Sequence, residues 1–227
     1  MPRTAVPNPE QVSADSKRAL DMFTNNIGFT PNMLATFAQS PIAFNAWATL
    51  RGSLSKSLDL KTRESISLAV SEVNGCNYCL GVHSHGAELV KMPADEIILA
   101  RKGRASDPKR DAAVQFARKV IETRGQVRDA DVKAVCDAGY TDANVMEIVA
   151  LVAMYSLTNF FNNVFDPEKD CSGRFVSGVS RASFRDRMTG MRLIPTLIDQ
   201  NPWAQARKPM EMMRQGWSMS LFQAWQQ

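Results

Sequence analysis

Asp142-Ala-Asn-Val-Met-Glu-Ile-Val-Ala-Leu-Val-Ala-Met-Tyr-Ser-Leu-Thr-Asn-Phe-Phe-Asn-Asn-Val-Phe165 is the stretch whose reading decides the fold class. Its centre, Ile148 to Met154, taken alone, can be argued as a buried strand. The whole run, however, is 24 residues without glycine or proline. That is several times the length of an ordinary strand and a natural length for a buried helix. With this segment helical, strand alternation is sustained nowhere else and the body is all-α. The same stretch does not read as a membrane span, because Ser156, Thr158 and Asn159 interrupt it.

Upstream, a small polar residue followed by proline recurs as a helix start, at Thr30-Pro31, Ser40-Pro41 and Asp107-Pro108. Apolar residues fall at helical spacing between such starts, as in Leu20, Phe23 and Ile27, or Val114, Ala117 and Ile121. The pattern predicts helices over 11–25, 31–39, 41–56, 61–73, 76–91, 94–102, 108–124, 129–138 and 142–165. Downstream of Pro167-Glu168-Lys169-Asp170 the composition changes, and six of the twelve Met and three of the four Trp lie in residues 171–227. A domain boundary belongs there, giving a helical domain over 1–170 and a C-terminal extension over 171–227. Within the extension Asn201-Pro202 reads as a further helix start and Met210 to Trp225 as an amphipathic helix.

The net charge of +4 divides unevenly, because the extension holds 8 Lys+Arg against 3 Asp+Glu while residues 1–170 hold 19 against 20. The basicity belongs to the extension, where scattered charges without a sustained basic run argue against nucleic-acid binding. A hydrophobic share of 44% excludes wholesale disorder. The N-terminus, Met1-Pro2-Arg3-Thr4-Ala5-Val6-Pro7, has no apolar signal core, which gives the expectation of a cytoplasmic protein. Four cysteines without a secretion signal are no disulfide framework, and in a reducing compartment a close pair points to redox catalysis or metal binding.

That pair is Cys76 and Cys79, in Asn74-Gly75-Cys76-Asn77-Tyr78-Cys79-Leu80-Gly81-Val82-His83-Ser84-His85, where both histidines of the chain also lie. Asn74-Gly75 reads as the stop of one helix, which leaves both cysteines in the first turn of the next. Positions i, i+3 and i+7 share a helix face, so Cys76, Cys79 and His83 converge and His85 points elsewhere. Thiolate is favoured at a helix N-terminus, and His83 is placed to accept a proton. Glu64 or Glu72 can orient the imidazole, and spacing does not choose between them. A thiolate beside a second thiol can attack an O–O bond, become a sulfenic acid and condense to a disulfide that an outside dithiol reduces, with no bound cofactor.

The sequence also resembles the alkylhydroperoxidase D-like family of the carboxymuconolactone decarboxylase superfamily. The likeness rests on Glu64, eleven residues, then Cys76-x-x-Cys79-x-x-x-His83, with Thr30-Pro31-Asn32-Met33-Leu34, Ser40-Pro41 and the stretch from Tyr155 to Asn163 around it. The resemblance implies an all-α AhpD-like bundle that forms homo-oligomers and acts as a peroxidase. It implies Cys79 as the attacking thiol, Cys76 as the resolving one, and His83 with Glu64 as the proton relay. The substrate it implies is a hydroperoxide, and the reductant a lipoyl-type or thioredoxin-type dithiol. Tyr78 departs from the pattern, since some members carry a second His there.

Three other readings share these residues. A zinc module would use Cys76, Cys79, His83 and one of His85, Glu64 or Glu72, although ligands along one helix suit tetrahedral zinc poorly. A disulfide oxidoreductase without peroxide activity would use the same pair, but the βαβ setting of a thioredoxin-like motif is missing. A lactone decarboxylase of the wider superfamily would not need the pair. Cys136 and Cys171 read as incidental. Tyr155, Asn159 and Asn163, spaced i, i+4 and i+8, are compatible with a polar stripe at a subunit interface or with a helix running out toward its end.

Overall fold

The computed structural model describes residues 2–170, and these form nine α-helices and no strand. The expectations for residues 171–227, a separate extension with a helix over Met210 to Trp225, lie outside the described residues. A short 3-10 turn, Pro9–Gln11, precedes α1 (Ala14–Ile27), α2 (Asn32–Phe37), α3 (Pro41–Leu54), α4 (Leu60–Val73) and α5 (Asn77–Leu89). These are followed by α6 (Ala94–Arg101), α7 (Pro108–Glu122), α8 (Asp129–Asp137) and α9 (Asp142–Phe165).

Two of the three expected starts are capped as the sequence indicates. The Ser40 side chain accepts from the Ala43 N–H at the head of α3, and Asp107 accepts from the Arg110 N–H at the head of α7. The third differs: Pro31 itself is the N-cap of α2, without a side-chain bond, and the Thr30 hydroxyl turns away to meet Thr24 Oγ1 at 2.7 Å. The 142–165 reading is confirmed as α9, whose Thr141 cap and Asn144 form a reciprocal capping box. This helix is long and apolar enough to cross a membrane by composition alone, but half of it is buried within the fold.

The bundle is organised around α4, which packs against α5, α6, α7 and α9. Every residue from Thr62 to Ser71 is buried, so α4 is a core helix on all sides rather than an amphipathic one. On one flank Ile66, Ala69 and Val70 meet Val114, Ala117, Ile148, Leu151 and Tyr155 of α7 and α9. On another Leu68 meets Leu80, Ala87 and Ile97 of α5 and α6. An aromatic cluster of Phe23, Phe37, Phe44 and Trp47 ties α1, α2 and α3 together. The Trp47 indole N–H donates to Thr158 Oγ1 at 2.8 Å, linking that cluster to α9.

Candidate active site

The turn between α4 and α5 builds the site. The Gly75 N–H donates to Glu72 O at 3.1 Å and the Cys76 N–H to Ser71 O at 2.9 Å, the paired bonds of a Schellman ending. This ending needs a left-handed residue, and Gly75 supplies it with φ of +63°. Chain reversal then leaves Cys76 outside the helix, as the N-cap of α5, where its sulfur accepts from the Cys79 N–H at 3.3 Å. The sequence reading placed Cys76 in the first turn; it stands one position earlier and performs the capping itself.

The reversal folds α5 back along α4, and the residues on the facing sides meet. Cys76 Sγ and Cys79 Sγ are 2.6 Å apart, unbonded and buried. On the same face of α5, His83 Nδ1 lies 2.8 Å from Glu64 Oε2 of α4, with both side chains largely buried. Gly86 makes room for this carboxylate, since a Cβ there would sit 3.1 Å from Glu64 Oε2. Glu72 is elsewhere, paired with Arg101 at 2.7 Å on the surface. His85 Nδ1 faces Glu88 at 3.5 Å along the same helix, and Cys136 is half-buried on α8, with its sulfur 3.8 Å from Asp142 Oδ1. Tyr78, where the resemblance allows a second histidine, donates its hydroxyl to Asp170 Oδ1 at 2.9 Å.

The third wall is α9, and here the structure adds residues that the sequence did not reveal. Asn162 Nδ2 donates to Cys79 Sγ at 3.1 Å. Asn159 accepts from Asn74 Nδ2 at 3.0 Å and donates to Ser71 Oγ at 3.1 Å, and Asn163 Nδ2 donates to Asn74 O at 2.7 Å. Tyr155 meets the His83 ring edge-on at a centroid distance of 5.4 Å and donates to Arg63 O at 3.3 Å. The reading of Tyr155, Asn159 and Asn163 as a subunit-interface stripe is therefore corrected. Tyr155 and Asn159 are buried against α4, and Asn163 is spent on the turn. The missed signal was the run of three amides, Asn159, Asn162 and Asn163, in an otherwise apolar helix.

The two thiols divide one charge unequally. The Cys79 thiol, aided by its own backbone N–H, hydrogen-bonds to Cys76 and brings that thiol down to about 7 in spite of burial. The same contact, with burial, pushes Cys79 well above the ordinary thiol range. The first proton therefore leaves Cys76, the sulfur at the helix N-cap, where backbone N–H groups and partial positive charge favour an anion. Burial, reinforced by Glu64, pushes the Tyr155 phenol up, so it is a neutral donor. Among the described residues no three His, Cys, Asp or Glu side chains converge to hold a metal ion. Sulfurs in mutual contact leave no gap between them for zinc.

Residues 41–123, which hold Glu64, both cysteines and His83, match the carboxymuconolactone decarboxylase family. No curated protein matches the chain. Among solved structures it is similar to an alkylhydroperoxidase AhpD core, an uncharacterized peroxidase-related protein from Ralstonia eutropha JMP134. That pair is 26% identical with a TM-score of 0.69, over 77% of this chain and 94% of the other. A peroxidase-related protein from Silicibacter sp. TM1040 is 19% identical with a TM-score of 0.66, over 77% and 95% of the two chains. The debrominase Bmp8 is 20% identical with a TM-score of 0.62, over 83% and 98%. The last two likenesses are of fold alone. The fold is thus AhpD-like, shared with peroxidase-related proteins and with a debrominase. The asparagines of α9 lie beyond the segment that matches the carboxymuconolactone decarboxylase family.

Proposed function

We propose that the chain is a cofactor-free dithiol peroxidase that reduces hydroperoxides through Cys76 and Cys79. The observation that carries this reading is the contact of two buried thiols at a helix start, flanked on the same helix by a histidine held by a buried carboxylate. Ionisation leaves one negative charge on the pair, and the proton released passes to His83, which Glu64 orients. Shift of the remaining proton from Cys79 to Cys76 across their contact makes Cys79 the nucleophile, steadied by the Asn162 amide. Its thiolate attacks one peroxide oxygen and the O–O bond breaks. Cys79 becomes a sulfenic acid, and His83 protonates the departing alkoxide to an alcohol. Cys76 then condenses with the sulfenic acid, releasing water and leaving a disulfide. Two electrons have passed from the thiols to the peroxide, and an external dithiol of lipoyl or thioredoxin type returns them by exchange.

Thiol titration before and after one equivalent of peroxide tests the reading, with two thiols lost together as the expected result. Cys79→Ser should abolish turnover while the far-ultraviolet helix signal is retained; undiminished peroxide consumption by this variant would sink the proposal. Association into homo-oligomers is part of the same reading. It is supported by an apolar stripe on the outer face of α9, where Met146, Val149, Leu157, Phe160 and Val164 are exposed.

A further inference from the structure

A small cavity of about 20 Å³ is walled by Arg51, Leu54 and Ser55 of the α3 end, Arg63 of α4, and Leu151, Met154 and Tyr155 of α9. None of the chemistry proposed above uses it. Its volume exceeds the roughly 10–15 Å³ needed for one water-sized particle, so it admits a single water, a halide, or one oxygen of a carboxylate.

The charges around it are unbalanced. Arg63 is only 9% exposed. One end of its guanidinium is spent, with Nη1 donating to Leu54 O and Ser55 O at the end of α3. Its Nε, in contrast, is buried without a partner, a costly omission for a charged donor. Arg51 stacks over Phe23 and Trp47 at 6.0 and 5.9 Å from the ring centroids, which fixes its plane. Burial and the neighbouring Arg63 charge both disfavour its protonated form. The carboxylate acting on this group is Glu64, which is already engaged with His83, and α9 contributes only the neutral Tyr155. Whether His83 is charged or neutral, the surroundings keep an excess of one or two positive charges between apolar walls, where charge is weakly screened.

We propose that this cavity is a seat for one small monovalent anion, a halide or the head of a carboxylate, held between Arg51 and the unpartnered Nε of Arg63. The anion would cancel one of the excess positive charges and would neighbour the His83–Glu64 pair through Tyr155. The seat depends on the two arginines alone and is independent of the peroxidase reading.

The test is the thermal unfolding midpoint of the full chain, reduced and without peroxide, titrated with sodium bromide or with sodium formate at constant ionic strength. A bulky organic sulfonate too large for the cavity serves as the filler anion. A saturable rise is expected, of about 3–6 °C at tenfold excess over the dissociation constant. Arg51→Gln, at a half-buried position, should weaken that binding at least fivefold, and bromide-soaked crystals should show an anomalous peak in the cavity. Saturation by formate but not bromide identifies a carboxylate seat, and saturation by bromide a seat for the free ion. A rise that saturates with neither anion, or that is equal in Arg51→Gln, overturns the proposal, and so does a cavity holding only water in bromide-soaked crystals when bromide has given a saturable rise.

Discussion

Helices α4 and α9 both run through the core, and they handle polarity in opposite ways. In α4 the polar residues are buried on every side, and one of its two buried charged residues, Glu64, is aimed across the hairpin at His83. In α9 the apolar residues are divided between core and surface. Ile148, Leu151 and Val152 face inward and Met146, Phe160 and Val164 outward, while the amides of Asn159 and Asn162 are turned in toward the thiols. In the proposed reaction a charge placed by one helix supplies the proton chemistry. Neutral donors placed by the other hold the sulfurs and the turn that carries them.

The largest effect should come from the α4 side. Glu64→Gln keeps the shape but removes the charge, and kcat/KM for peroxide should fall about a hundredfold or more, with the helix signal unchanged. Asn162→Ala removes one neutral donor to a sulfur and should cost roughly tenfold in rate. Since that amide lowers the proton affinity of both thiols, its loss should also move the rate–pH profile to higher pH. In the unmodified protein, thiolate absorbance should rise with a midpoint near 7, below the ordinary thiol value of 9.0. Below that midpoint Cys76 holds its proton and turnover falls; a midpoint left at the ordinary value would remove Cys76 as the first sulfur to ionise. Gly86→Ala crowds the Glu64 carboxylate and should lower the rate severalfold, less than Glu64→Gln does. The outer face should matter least to the fold: Val149→Ser with Leu157→Ser should change monomer stability by no more than about 0.5 kcal/mol per site. Sedimentation would show the pair shifting toward smaller species if that face joins copies of the chain.

The sequence disclosed the α4 contribution more readily than the α9 one, for a physical reason. A glycine-terminated helix followed by Cys-x-x-Cys and a histidine at i+7 is a local pattern, and local patterns fix local geometry. Cys76, Cys79 and His83 share a face by helical periodicity alone. Glu64 required the reversal at Gly75, and spacing could not separate it from Glu72, only three residues short of the turn and directed outward to Arg101. Asn159 and Asn162 sit more than 80 residues from their partners. Nothing in their neighbourhood distinguishes an amide that caps a distant turn from one at a fraying helix end. The long helix itself was legible because its length excluded a strand. The direction of its faces was not, because apolar residues lie on both.

Cys76 ends one helix and begins the next, so its sulfur is a structural acceptor as well as the resolving thiol of the proposed cycle. Once that sulfur is bonded to Cys79 it carries no negative charge, and the Cys79 amide loses the strongest form of its acceptor. The start of α5 is then tethered covalently instead of electrostatically. The oxidation state of the pair is in this way written into a backbone hydrogen bond, and the exchange rate of a single amide proton in the first turn of α5 becomes a gauge of how much of the protein is oxidised.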